Sequence, residues 1–199
     1  MGKKKKHAAV MVEPPKGDVQ EVIGSVELIK GSFANERVLA EIADASRNLY
    51  DQSRFGEPYE NKIQYSLVEA LYLVEKKKLE VYDSKNKAMP YENFIKLATS
   101  IEPKFWVRYC VYRDMRSRGY IVKTALKFGA DFRVYDRGVK PGEDHARWIL
   151  YPVHETEMFS WYEFSAKNRV AHSTKKHLLI ACVDGEGDVT YWELSWIRP

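Results

Sequence analysis

Three side chains able to move protons or hold phosphate charge stand where apolar stretches meet polar ones. Tyr135 closes the run Asp131-Phe132-Arg133-Val134-Tyr135, a polar loop follows, and His145 stands at its far rim. Further on, a basic turn containing Lys175 and Lys176 feeds directly into the apolar stretch Leu178–Ala181. An imidazole with an unperturbed pKa near ~6.5 exchanges protons at neutral pH. A lysine at a strand mouth is well placed to meet an anion such as phosphate. Each signal alone has an ordinary structural explanation: an exposed loop histidine, a half-buried packing tyrosine, a basic residue flanking a buried strand. Spacing leaves the choice between Lys175 and Lys176 open by one residue.

Other chemistries lack their parts. Hard divalent ions take clustered oxygen ligands, and here the carboxylates are scattered apart from Glu143-Asp144 and the turn Asp184-Gly185-Glu186-Gly187-Asp188. That turn lacks the terminal glutamate of a calcium loop and reads as a hairpin connection. No phosphate-binding loop, dinucleotide fingerprint or nucleophile elbow occurs. The two cysteines, Cys110 and Cys182, form no metal-ligand spacing and read as reduced thiols rather than a disulfide. Neither a metal ion nor a cofactor is expected.

Composition sets the remaining bounds. The 199 residues are 45% hydrophobic and 30% charged with a net charge of +4, enough apolar material for a real core and a mild basic excess compatible with a polyanionic partner. Part of that excess is the run Lys3–Lys6, read as a solubilising tail. No apolar run approaches ~18 residues and the start does not read as a signal peptide, so no membrane contact and a cytoplasmic location are expected.

The elements that must position these residues follow from periodicity. Strand-like stretches at 8–13 and 21–29 are split by the turn Pro14–Gly17. Val38, Ile42, Ala45 and Leu49 recur at helical spacing. Ser66 and Glu69 have capping-box spacing before the apolar face Leu67, Ala70, Leu71 and Val74, and that helix runs out in Lys76–Lys78. Leu79–Tyr82 alternates like a strand, and the polar stretch Asp83–Lys87 marks a junction, which a helix from about Tyr91 to Ser100 bridges. Beyond it lie a helix bounded by Pro103 and Gly119, strands at Tyr120–Leu126, Asp131–Tyr135, Trp148–Val153, His177–Val183 and Val189–Trp196, and a helix near 160–173. This predicts an α/β (α+β) chain: a basic tail over 1–10, an amino-terminal α/β domain over 11–85, a connecting helix and linker over 86–103, and a mixed-sheet domain over 104–199.

In combination these stretches become recognisable. Arg118–Thr124, Lys127–Tyr135 and Arg169–Ser173 resemble the catalytic domain of the archaeal tRNA-intron endonucleases, and the resemblance runs through essentially all of 104–199. Residues 55–82 are similar to the end of that family's amino-terminal domain, whereas the first 35 residues match little. The resemblance implies a restriction-endonuclease-like catalytic fold. It also implies Tyr135, His145 ten residues further on, and Lys176 as the active site, with Arg169 and its basic neighbour Lys175 contacting RNA.

The implied reaction is metal-independent cleavage of precursor tRNA at bulge–helix–bulge splice sites. The substrate's 2′-hydroxyl attacks, giving 2′,3′-cyclic phosphate and 5′-hydroxyl ends. Tyr135 takes the role of base on the strength of the resemblance, because a free phenol has a pKa of about 10. His145 is the natural general acid and Lys176 the charge stabiliser. The family further implies a dimer, homotetramer or heterotetramer, in which the acidic turn Asp184, Glu186 and Asp188 docks on a neighbour and the strand Val189–Trp196 pairs across a two-fold interface. The alternative is a catalytically inert structural or tRNA-binding subunit, against which the joint presence of Tyr135, His145 and Lys176 argues. A metal-dependent restriction-type nuclease is disfavoured by the missing carboxylate cluster.

Overall fold

The structure, a computed structural model, describes residues 27–197. The basic run Lys3–Lys6, the stretch 8–13, the turn Pro14–Gly17 and most of 21–29 lie outside the described residues.

Strands β1 (Ile29–Ala34) and β2 (Arg37–Glu41) form an antiparallel hairpin. The turn residues Asn35 and Glu36 both have positive φ, 46° and 65°, the geometry that follows strand twist in a two-residue connection. Val38 and Ala40 are buried between half-exposed neighbours, a period of two. The helical spacing that begins at Val38 is therefore misleading: β2 pairs with β1 on one side and β4 on the other, which satisfies its backbone. Helix α1 starts only at Asp44 and ends at Ser53. Next come β3 (Glu57–Tyr59) and β4 (Lys62–Tyr65), a second hairpin, helix α2 (Leu67–Glu75) and β5 (Leu79–Tyr82). The first sheet has the order β3-β4-β2-β1-β5, with only β1 and β5 parallel.

Helix α2 is the pivot of the molecule. The Ser66 hydroxyl accepts the Glu69 N–H and the Glu69 carboxylate accepts the Ser66 N–H at 3.0 Å, so the capping box closes as the spacing predicts. All of Leu67–Leu73 is buried, not one face alone, because the helix is enclosed by neighbours on every side. Its Lys76–Lys78 tail lies beyond the last helical turn.

Helices α3 (Tyr91–Ile101) and α4 (Phe105–Ser117) pack against α2. The second sheet contains β6 (Ile121–Ala125), β7 (Ala130–Tyr135), β8 (Trp148–His154), β9 (His177–Val183) and β10 (Val189–Leu194) in the order β10-β9-β8-β7-β6. Helix α5 (Trp161–Ser173) connects β8 to β9, which are parallel; the other pairs are antiparallel. Alternation divides the sheet. Phe132, Val134, Trp148, Leu150, Leu179 and Ala181 join α4 and α2 in one core that continues into the first sheet. Ile149, Tyr151, Leu178 and Ile180 face Ala171 of α5. The chain is thus mixed α/β, with two mixed sheets and five α-helices among the described residues. No helix among them is long and apolar enough to cross a membrane.

Candidate active site

The register of the second sheet decides which polar side chains meet. In β7 and β8, Val134 lies opposite Trp148, and the Arg147 N–H donates to the Val134 carbonyl at 2.9 Å. In β8 and β9, Trp148 lies beside His177, whose N–H donates to the Arg147 carbonyl at 2.9 Å. The β7–β8 ladder stops at Val134 and Trp148, and the bond from Arg147 to the Val134 carbonyl steps off that register, so Arg147 lies outside the ladder; Tyr135, at the end of β7, and Lys176, at the mouth of β9, stand at the same end of the sheet on either side of β8. At ~4.8 Å per strand, β7 and β9 run about 10 Å apart across β8. Alternation turns Tyr135 and Lys176 toward the α5 face, whereas the Arg147 guanidinium lies over the Trp148 ring, 4.5 Å from its centre. The Tyr135 ring is 4% exposed and packs with Ile121 and Ala146, so its position is fixed by the core.

His145 belongs to the loop 136–147. The loop is stitched internally: Val139 N–H donates to the Asp136 carbonyl, Glu143 N–H to the Lys140 carbonyl, and the Glu143 carboxylate accepts the Lys140 N–H. An Asp136–Arg147 ion pair at 3.3 Å draws its ends together. The buried Ala146 anchors the chain next to Tyr135, while the His145 backbone N–H donates to Asp144 Oδ1 at 2.6 Å. The imidazole is exposed and makes no hydrogen bond among the described residues. The structure brings the loop's anchor to Tyr135 but leaves the imidazole itself at the rim.

Lys176 is positioned by the end of α5. The Lys175 N–H donates to the His172 carbonyl at 3.0 Å and the Lys176 N–H to the Ala171 carbonyl at 2.9 Å, the paired bonds of a Schellman cap. Lys175 takes the left-handed position, φ 55°, and is exposed. Lys176 is half-buried at the mouth of β9, with Nζ donating to the Thr174 carbonyl at 2.9 Å. Burial, and secondarily the charge of Arg133, lowers its pKa from the usual lysine value. The same cap ends α4, where Gly119 N–H donates to Arg116 and Tyr120 N–H to Met115; there the left-handed residue is Gly119, φ 85°. Lys175→Gly should therefore raise stability by about 0.5–1 kcal/mol, read as a higher midpoint in urea or heat.

The remaining candidates separate. Arg169 is exposed on α5, and its guanidinium has no hydrogen-bond or ion-pair partner among the described residues. The acidic turn joins β9 to β10: Asp184 Oδ1 accepts the Glu186 and Asp188 N–H groups, both at 2.9 Å, and Glu155 accepts the Gly185 N–H. Asp184 organises the turn; Glu186 and Asp188 face solvent. Tyr191 turns inward to Asp114 at 2.8 Å, whereas Trp192 and Trp196 are 50% and 46% exposed. Strand β10 ends at Leu194, before Trp196, whose ring lies 5.3 Å from that of His172. Two residues went unnoticed in the sequence, Arg147 at the edge of the β7–β8 ladder and Arg133 two before Tyr135. The second had a signal, since positions two apart on a strand share a face. No group of three or more His, Cys, Asp or Glu side chains among the described residues is arranged to hold a metal ion.

Comparison with known proteins matches both halves. Residues 29–95 fit the family described as tRNA intron endonuclease, N-terminal domain, and residues 105–191 fit tRNA intron endonuclease, catalytic C-terminal domain. The tRNA-splicing endonuclease of Methanothermobacter thermautotrophicus is 40% identical over 171 residues, 86% of this chain and 99% of that protein. That of Thermococcus onnurineus is 38% identical over 172 residues, 86% and 98% of the two chains. That of Nanoarchaeum equitans is 46% identical over 139 residues, 67% and 88%.

Proposed function

The chain belongs to the tRNA intron endonuclease family, and from that premise we propose that it excises introns from precursor tRNA, cutting bulge–helix–bulge splice sites without a metal ion and leaving 2′,3′-cyclic phosphate and 5′-hydroxyl ends. The observation that carries this reading is the placement of Tyr135 and Lys176 at the same end and on the same face of the second sheet, with the His145 loop anchored beside Tyr135. In the proposed reaction the Tyr135 oxygen, acting as phenolate, takes the proton of the substrate's 2′-hydroxyl and becomes the neutral phenol as that hydroxyl oxygen bonds to phosphorus. The bond from phosphorus to the 5′-oxygen breaks, and His145 delivers a proton to the leaving oxygen. The Lys176 ammonium balances the extra negative charge that gathers on the phosphate between these events. An exposed imidazole suits an acid that meets a large RNA only when it binds. Arg169 and Lys175, both exposed near the same mouth, supply further contacts to the RNA, a guanidinium plane being suited to a splayed-out base.

Cleavage by this scheme needs the ammonium form of Lys176, which is lost as pH rises through its pKa. Because burial lowers that pKa, the lysine should titrate below the ordinary lysine value of about 10.4. Carbon NMR of the Lys176 ε-methylene checks this directly; a midpoint at or above the ordinary value contradicts it.

An intron has two ends and each chain carries one such site, so at least two active chains act on one RNA. A groove between the two halves is lined by the cations Lys76, Lys78, Arg116 and Lys140 and by no carboxylate. Its charge suits the exposed Glu186 and Asp188 of a second copy or of a related partner subunit. The test of the reading is to incubate the full chain with a bulge–helix–bulge RNA in excess EDTA. Two cuts at the bulges are expected; intact RNA, or cutting that returns only with added magnesium, overturns it.

A further inference from the structure

Arg133 is a half-buried cation without a counter-anion among the described residues, at the end of the second sheet that holds Tyr135 and Lys176. It shares the α5 face with Tyr135, and its guanidinium carbon lies 5.9 Å from the centre of the Tyr135 ring. In β7 and β8 it pairs with Ile149, which lies beside Leu178, so Arg133 stands level with Leu178, two residues into β9 from Lys176 on the same face. Its charge reaches Lys176 strongly enough to help lower the pKa of that ammonium.

Two other enclosed arginines next to the sheet are compensated. Arg108 pairs with both Glu102 and Asp131. Arg116 donates to the carbonyls of Ser53 and Tyr120. The Nε of Arg133 is buried with no hydrogen-bond partner, and its guanidinium joins no ion pair among the described residues. A desolvated guanidinium left unpaired is costly. Its fork of donors matches a phosphate group with two oxygens presented together.

We propose that Arg133 is a second phosphate-binding cation of the active site, donating to a non-bridging oxygen of the scissile phosphodiester beside Lys176. The assignment rests on the nuclease reading. It adds to that reading a residue two positions before the tyrosine, on the strand itself rather than on a loop. Two cations, one from β7 and one from the cap that leads into β9, hold the phosphorus where both the 2′-hydroxyl and the imidazole can reach it.

The test uses Arg133→Gln and Arg133→Lys in the full chain. Single-turnover cleavage of a bulge–helix–bulge RNA is measured, together with binding of the same RNA carrying 2′-deoxy nucleotides at both cleavage positions. Arg133→Gln should slow cleavage by about 10²–10³-fold, the range for losing one preorganised donor. RNA affinity should fall by less than about tenfold, because most phosphate contacts remain. Arg133→Lys, which keeps the charge and loses the fork, should recover at least part of the rate; a purely structural arginine would not show this split of rate from affinity. Arg133→Gln cleaving at the wild-type rate overturns the proposal, as does Arg133→Lys no faster than Arg133→Gln. Should the wild-type chain leave the RNA intact, the nuclease reading itself fails. The arginine is then judged by NMR titration with inorganic phosphate, where affinity unchanged in Arg133→Gln overturns its assignment as an anion-binding group.

Discussion

Replacing His145 by alanine should slow cleavage by about 10²–10⁴-fold, the usual contribution of a positioned proton donor, without loosening the fold. The two halves of that expectation come from different observations. The imidazole is exposed and makes no hydrogen bond among the described residues, so its removal leaves no buried group unsatisfied. The backbone N–H that donates to Asp144 is kept in the variant, and stability should stay within about 0.5 kcal/mol. The chemistry is exposed to a sharper check through the leaving group. A substrate whose 5′-bridging oxygen is replaced by sulfur expels a thiolate that needs no proton. His145→Ala should cut that RNA nearly as fast as the wild-type chain does. An equal rate loss on both substrates would remove His145 from the role of acid, even if the residue proved essential.

The second large effect concerns stability. Glu69 is buried on α2 and its carboxylate is fully engaged: Oε2 accepts the Ser66 N–H and hydroxyl, Oε1 accepts the Gly56 N–H, and Lys123 of β6 stands 3.5 Å away. Lys123 is itself 6% exposed and donates to the Gly56 carbonyl. The pair therefore ties the capping box of α2, the entry to β3 and a strand of the second sheet into one polar knot. Glu69→Ala leaves the ammonium buried without its carboxylate, which should cost about 3–5 kcal/mol. For a chain of this length that corresponds to a drop in Tm of roughly 6–20 °C. Lys123→Met in the Glu69→Ala background should recover part of the loss, because it removes the stranded charge. If Glu69→Ala melts within a degree of the wild type, the knot contributes nothing to holding the two halves together.

What the sequence displays depends on the range of the interaction that fixes it. The cap of α2 is readable because Ser66 and Glu69 bond within one turn. The strand ends of the second sheet are readable because Trp148–Val153 is apolar throughout, as a strand covered on both faces must be. The β1–β2 hairpin is not, since Asn35 and Glu36 adopt positive φ with no glycine to announce it, and Val38 happens to stand at helical distance from Ile42 and Ala45. The site is harder still. Tyr135 and Lys176 come to the same end of the sheet through the order of three strands and a crossover helix, a relation that spacing along the chain does not contain and that the family resemblance implies. The one-residue ambiguity between Lys175 and Lys176 is likewise a matter of conformation. A left-handed cap residue sends the first into solvent and leaves the second half-buried at the strand mouth. Arg133 stands in plain view two positions before Tyr135, and only its missing counter-anion makes it conspicuous.

The proposed chemistry turns on the substrate supplying its own nucleophile to a site made of protein side chains alone. The direct measurement is cleavage, in EDTA, of a bulge–helix–bulge RNA with a single 2′-deoxy nucleotide at one of its two splice positions. The site carrying the hydroxyl should be cut at its normal rate, ending in a 2′,3′-cyclic phosphate, and the deoxy site should remain intact. Cutting at the deoxy position at a comparable rate would mean that water or another external nucleophile attacks the phosphate, and would contradict the proposed roles of Tyr135, His145 and Lys176.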